Sequence, residues 1–216
     1  MDTTLKPHNT RSLLASSLVL LLLGLAYLIL LGFIFGSGLN LENNRTVQLI
    51  THLVVLLSGF SFLIFADQVC SSVKEVSSAR LALTFAALFT LLITLGRSLG
   101  IWYIMLPNPD AAYSLYNFYA AGDSLPRTIE LISWTVFYPF SILFLGLFLR
   151  KSSHRFGRAL FVLSILSAVC CFIAFMLLIK PDTIFFIIGA TGWGLLFELI
   201  IAVYFIGLLP RRSKRP

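Results

Sequence analysis

The sequence predicts an all-α polytopic membrane protein, a bundle of six transmembrane helices with one short outward interfacial helix, and three observations predict it. Of 216 residues, 58% are hydrophobic and 12% charged, with a mean hydropathy of +0.95, whereas soluble domains carry about 25% charged residues. Apolar runs of membrane-spanning length recur from residue 13 to residue 209, with no polar segment between them long enough to fold separately. The runs are continuous rather than alternating in short segments, which selects helices over a closed barrel, the other structure that satisfies its backbone in lipid. A soluble globular fold is excluded. The chain reads as one membrane domain, 13–209, between a cytoplasmic N-tail, 1–12, and a basic cytoplasmic C-tail, 210–216.

The spans are predicted at 13–36, 46–66, 81–106, 128–149, 159–180 and 183–209, each near or beyond the roughly 20 residues that cross a ~30 Å hydrocarbon core. The first follows Lys6 and Arg11 as a secretory signal would, but its apolar run is about twice the length of a signal core, so it is read as a span. Gly96 and Gly100 put a GxxxG on the third span, which lets a neighbouring backbone approach. The segment 107–127 opens with Pro107-Asn108-Pro109-Asp110 and closes with Gly122-Asp123-Ser124-Leu125-Pro126. With Asp110 as N-cap and Gly122 as stop, a short helix is predicted from Asp110 to Ala121. Its Tyr113, Tyr116, Phe118 and Tyr119 suit the membrane interface, as an anchor or as a lid over an outward cavity. The inward loops 67–80 and 150–158 read as solvated connectors without a phosphate-binding glycine loop, and the two halves show no matching residues that would mark an inverted repeat.

Orientation follows from the basic residues, because positive loops stay cytoplasmic. One side carries Lys6, Arg11, Lys74, Arg80, Arg150, Lys151, Arg155, Arg158, Arg211, Arg212, Lys214 and Arg215; the other carries Arg45, Arg127 and Lys180. Both termini are therefore expected in the cytoplasm of a cell whose cytoplasmic membrane the chain spans. The net charge of +7 is accounted for by this topology and by anionic lipid headgroups, so no nucleic-acid partner is expected. Cys70, Cys170 and Cys171 form no CxxC and lie in no outward loop, which argues against a disulfide framework or thiol relay. The Asn44-Arg45-Thr46 sequon abuts the second span and carries little weight.

A charge in hydrocarbon costs on the order of 2.5–3.5 kcal/mol, so intramembrane ionisable residues are where function is sought. Arg97, Glu198 and His52 stand out. Arg97 lies roughly 13 Å below the outer end of the third span, with Thr90 and Thr94 on its stripe and Ser98 beside it. Glu130, Trp134, Tyr138 and Ser141 share an arc of the fourth span, and Thr191, Gly194 and Glu198 a face of the sixth. These faces are expected to converge. Glu198 is the deeper carboxylate and has no water of its own, so Arg97 is expected to pair with Glu198 rather than with Glu130, with Tyr27 and Tyr138 at a similar depth. Such a pair would either fix helix register or line an outward-opening polar cavity.

The same residues exclude several chemistries. His8 and His154 lie outside the membrane, so His52 has no second axial partner for a b-type haem. No HExxH and no convergent His or Cys set supports zinc. Ser58, Ser61 and His52 lack a GxSxG frame for serine proteolysis, and retinal would want an intramembrane Lys in a seventh helix. No cofactor, metal or catalytic residue is therefore assigned.

The run from Leu145 to Leu160 (LGLFLRKSSHRFGRAL), the lone Arg97, and Leu196–Tyr204 (LFELIIAVY) together resemble a bacterial family of six-pass membrane proteins known only as a domain of unknown function. The resemblance covers most of the chain; it implies a bacterial cytoplasmic membrane and no particular activity. The first functional expectation is a non-enzymatic membrane protein that binds or passes a small amphipathic or anionic ligand. Its candidate residues are Arg97, Glu198, Glu130, His52, Tyr138 and Tyr27. The alternatives are an assembly subunit packing against itself or a membrane partner, and an intramembrane enzyme acting on lipid through Glu198 or His52.

Overall fold

The computed structural model describes residues 7–37, 44–71, 77–107, 115–118, 124–151, 154–180 and 182–209. It is all helical among these residues. The six helices are α1 (Pro7–Ser37), α2 (Arg45–Ser71), α3 (Ser77–Met105), α4 (Leu125–Lys151), α5 (Gly157–Leu178) and α6 (Thr183–Leu208). All six are long and apolar enough to cross a membrane. Each predicted span falls on one of them, and α2 and α3 run about a turn further at the 67–80 end than hydropathy suggests. Of the short helix expected from Asp110 to Ala121, only 115–118 lie among the described residues.

The helix starts have local causes. Asn44 accepts the N–H of Val47 at 3.2 Å, so the sequon asparagine is the cap of α2. Ser124 accepts from Arg127 at 3.4 Å with Pro126 in the first turn of α4, and Asp182 accepts from Ile184 at 3.1 Å at the start of α6.

Sequential helices pack side by side, and α6 returns to α1, so the six close a ring. Water is no help inside lipid, so hydroxyls tie the ring to backbone. Thr90 on α3 donates to Gly59 on α2 (3.0 Å), Ser141 on α4 to Ala82 on α3 (2.9 Å), and Ser167 on α5 to Gly192 on α6 (2.8 Å). The middle is filled by rings: Phe62 and Tyr138 meet each other, and each meets Phe89 and Phe197, at 5.5–5.9 Å. Large apolar side chains such as Leu22, Ile29, Leu91, Val162, Ile184 and Leu195 are exposed, whereas His52, Arg97, Glu130 and Glu198 are buried. That inversion of the soluble pattern gives the bundle an apolar outer face suited to lipid.

Besides the 3-10 turn Phe175–Leu178 that ends α5, two turns depart from α-helical geometry. Ser133–Phe137 in α4 and Thr191–Leu196 in α6 are π-helical, a widened turn found often at functional positions. Each carries a tryptophan, Trp134 and Trp193, and the two indoles lie 5.9 Å apart.

Candidate functional site

The GxxxG of α3 sets the position of the first polar cluster. A Cβ on Gly96 would meet the Pro126 carbonyl of α4 at 2.9 Å, and one on Gly100 would meet His52 Nε2 of α2 at 2.9 Å. Both neighbours thus approach α3 at the turn that presents Arg97. The Arg97 guanidinium forms a buried salt bridge with Glu130 of α4 and reaches His52 Nδ1 at 3.2 Å. Trp134 Nε1 donates to the same Glu130 oxygen at 3.3 Å. Above them Phe118, from the 107–127 connection, lies over the Arg97 guanidinium at 4.4 Å and meets the His52 ring edge-on at 5.1 Å. The cationic face of Arg97 is therefore covered by an aromatic ring, a desolvated cation–π contact.

The expected Arg97–Glu198 pair is not formed; Arg97 pairs with Glu130. The cause is the order of the ring. Neighbouring α3 and α4 bring Arg97 and Glu130 together, while Phe62, Phe89, Tyr138 and Phe197 fill the middle of the bundle between α3 and α6. Nor does Glu130 rely on water, being only 7% exposed. The α3 stripe holds for Thr90 and Arg97, which are buried, while Ser98 faces outward.

Glu198 belongs to a second site. A narrow cleft of about 30 Å³ lies between α1, α2, α4 and α6. Leu20, Gly24 and Tyr27 line it from α1, Val55 and Ser58 from α2, Trp134 from α4, and Trp193, Gly194, Phe197 and Glu198 from α6. Gly24 has no side chain at the place where the Glu198 carboxyl rests, so α1 closes directly over it. Glu198 Oε2 is buried and has no hydrogen-bond partner among the described residues. Trp134 is the partition between the two sites, its N–H turned to Glu130 and its ring to the cleft.

Of the six candidate residues, Arg97, Glu130 and His52 are brought together, Glu198 and Tyr27 share the cleft, and Tyr138 belongs to neither. Its hydroxyl is 3.1 Å from Ser167 Oγ, in the core of the bundle. Thr191, expected on the Glu198 face, is not among the residues lining the cleft, and its hydroxyl donates to Ile187 of its own helix at 2.9 Å. Trp134, Trp193 and Phe118 take larger parts than their sequence context suggested. Aromatic residues are common in membrane helices, and nothing in the sequence marks the π turns that aim the two indoles.

The fold and these sites define a six-helix, membrane-capable bundle with a sealed ion pair at one level and an apolar, acid-bearing cleft beside it. No protein-family model, no curated protein and no solved structure matches this chain. Among the described residues, no group of three or more His, Cys, Asp or Glu side chains is arranged to hold a metal ion.

Proposed function

We propose that this chain is a multi-pass protein of the cell membrane, with both termini cytoplasmic, that binds a small amphipathic ligand in the cleft between α1, α2, α4 and α6. One observation carries the reading: the Glu198 carboxyl, with an oxygen unpartnered among the described residues, faces an aromatic-lined cleft. An ionisable group in a membrane interior without a structural partner is costly unless a ligand, ion or proton uses it. The Arg97–Glu130 pair differs in its charge, since Glu130 Oε2 is likewise buried without a hydrogen-bond partner among the described residues, but the carboxylate is matched by Arg97, whose guanidinium Phe118 covers. Arg97 therefore serves as a fastening between α3 and α4, and the ligand site moves from Arg97 to Glu198. Tyr27, Trp134, Trp193 and Phe197 supply apolar faces and Glu198 the polar contact, the usual division of labour in a small-molecule site.

Tryptophan fluorescence tests this. With Trp102→Phe, emission comes from Trp134 and Trp193, both lining the cleft. Brominated decanol, added to the protein in lipid nanodiscs, should quench that emission saturably. Gly24→Leu, which fills the cleft from α1, should abolish the saturable part. Quenching that rises linearly and is the same in the Gly24→Leu protein would mean the alcohol acts only from the lipid, and the reading would fail.

A further inference from the structure

If the cleft binds an amphipath, as proposed, its chemistry also discriminates among polar head groups. Resting on that ligand-binding role, we infer that the ligand is a single-chain amphipath with a cationic head, an amine or quaternary ammonium, whose charge lies against Glu198 and whose chain lies along the aromatic wall.

Three observations converge on this. Among the described residues, Glu198 is the only charged one lining the cleft, so the site holds an acceptor for a cation and no counter-charge for an anion. Its Oε2 is buried without a partner among those residues, and Glu198 is only 7% exposed, so the acceptor is reserved rather than solvated. Tyr27, Trp134, Trp193 and Phe197 supply ring surface beside it, and ring faces attract desolvated cations and repel anions.

Two of the cleft's polar donors are turned elsewhere. The Trp134 N–H is committed to Glu130 and the Ser58 hydroxyl to Val54 at 2.9 Å, so neither is turned to an anionic head. The cation that the sequence alone would offer to an anion, Arg97, is already neutralised behind Trp134. A head that finds a carboxylate in a low-dielectric site gains a charge-assisted contact that an alcohol cannot match.

Gly24 gives the inference a second handle. A methyl there would occupy the place of the Glu198 carboxyl and push the flexible end of that side chain aside while leaving its charge. Gly24→Ala should therefore weaken a cation and spare a neutral chain.

The test is competition in nanodiscs, with brominated decanol as the reporter and decyltrimethylammonium, decyl sulfate and decanol as competitors. In the native cleft decyltrimethylammonium should displace the reporter at a concentration at least about tenfold lower than decanol or decyl sulfate. The net charge of +7 favours the sulfate in any non-specific association, so a cation preference has to come from the site. Glu198→Gln should remove the preference while still binding the brominated alcohol, and Gly24→Ala should reduce it. If brominated decanol binds saturably but the three competitors rank equally, or decyl sulfate ranks first, the cationic inference is overturned while the ligand-binding role stands. A preference that survives unchanged in Glu198→Gln overturns it as well. Absence of saturable binding by brominated decanol itself removes the ligand-binding role and this inference with it.

Discussion

At the scale of single residues, the chain separates two kinds of buried charge that its sequence makes look alike. Arg97 meets Glu130, His52 and the Phe118 ring, so its charge is matched and covered. Glu198 meets a glycine and a cleft. The consequence is an asymmetry under mutation. Deleting one member of a buried pair strands the other and costs roughly 3–5 kcal/mol, whereas replacing both with apolar or neutral groups is often close to neutral. Arg97→Met and Glu130→Gln should each lower the melting temperature in detergent, and the double variant should recover much of the loss. Arg97→Met combined with Glu198→Gln should show no such recovery, the two effects simply adding. Recovery in that second pair and additivity in the first would return Arg97 to Glu198 and undo the two-site description.

At the scale of elements, α3 is positioned by its glycines and α4 and α6 by their π turns. Gly100 gives up its side-chain space to the His52 ring, whereas Gly32 on α1 has open space around it. Gly100→Val should overpack the α2–α3 contact and cost about 1–3 kcal/mol, while Gly32→Val should leave the melting temperature of the purified protein close to native. Equal effects would show that helix propensity, not the close approach at Gly100, sets the cost. The existence of six helices, their approximate ends and the close approach at the GxxxG were all legible from hydropathy and glycine spacing, because lipid imposes length and small residues permit contact. The partner of Arg97 was not. Depth along each helix can be read by counting residues, but which helices are neighbours, and that aromatic rings fill the middle of the bundle, depends on tertiary packing. The cleft was equally hidden, since the π turns that bring Trp134 and Trp193 within 5.9 Å of each other break the regular helical periodicity on which face assignments rest.

At the scale of the whole molecule, ring closure and charge distribution make one joint prediction. Arg45 at the start of α2 reaches the Leu106 carbonyl beyond α3 at 3.5 Å, and the start of α4 packs against the end of α5, so Arg45, Arg127 and Lys180 gather at one end of the ring. At the other end the His154 ring, between α4 and α5, stacks on Tyr204 of α6 at 4.7 Å. This end receives Arg80, Arg150, Lys151, Arg155 and Arg158. Burial of His154 in that contact pushes its imidazole below the usual histidine range, so it stays neutral beside a strongly basic loop. The sequence assigns twelve basic residues to the loops and tails of one side against three on the other, the asymmetry that retains loops in the cytoplasm. Reporter fusions after Arg80, Arg158 and Pro216 should all report the cytoplasm, and insertions within 107–127 should report the far side. The four positions test parity together. If Pro216 alone changes side, α6 does not cross, and the Glu198 cleft cannot lie within the membrane. If all four invert together, the six crossings stand and the cleft keeps its depth, but Phe118 would cover Arg97 from the cytoplasm, and the basic loops would have been exported against their charge.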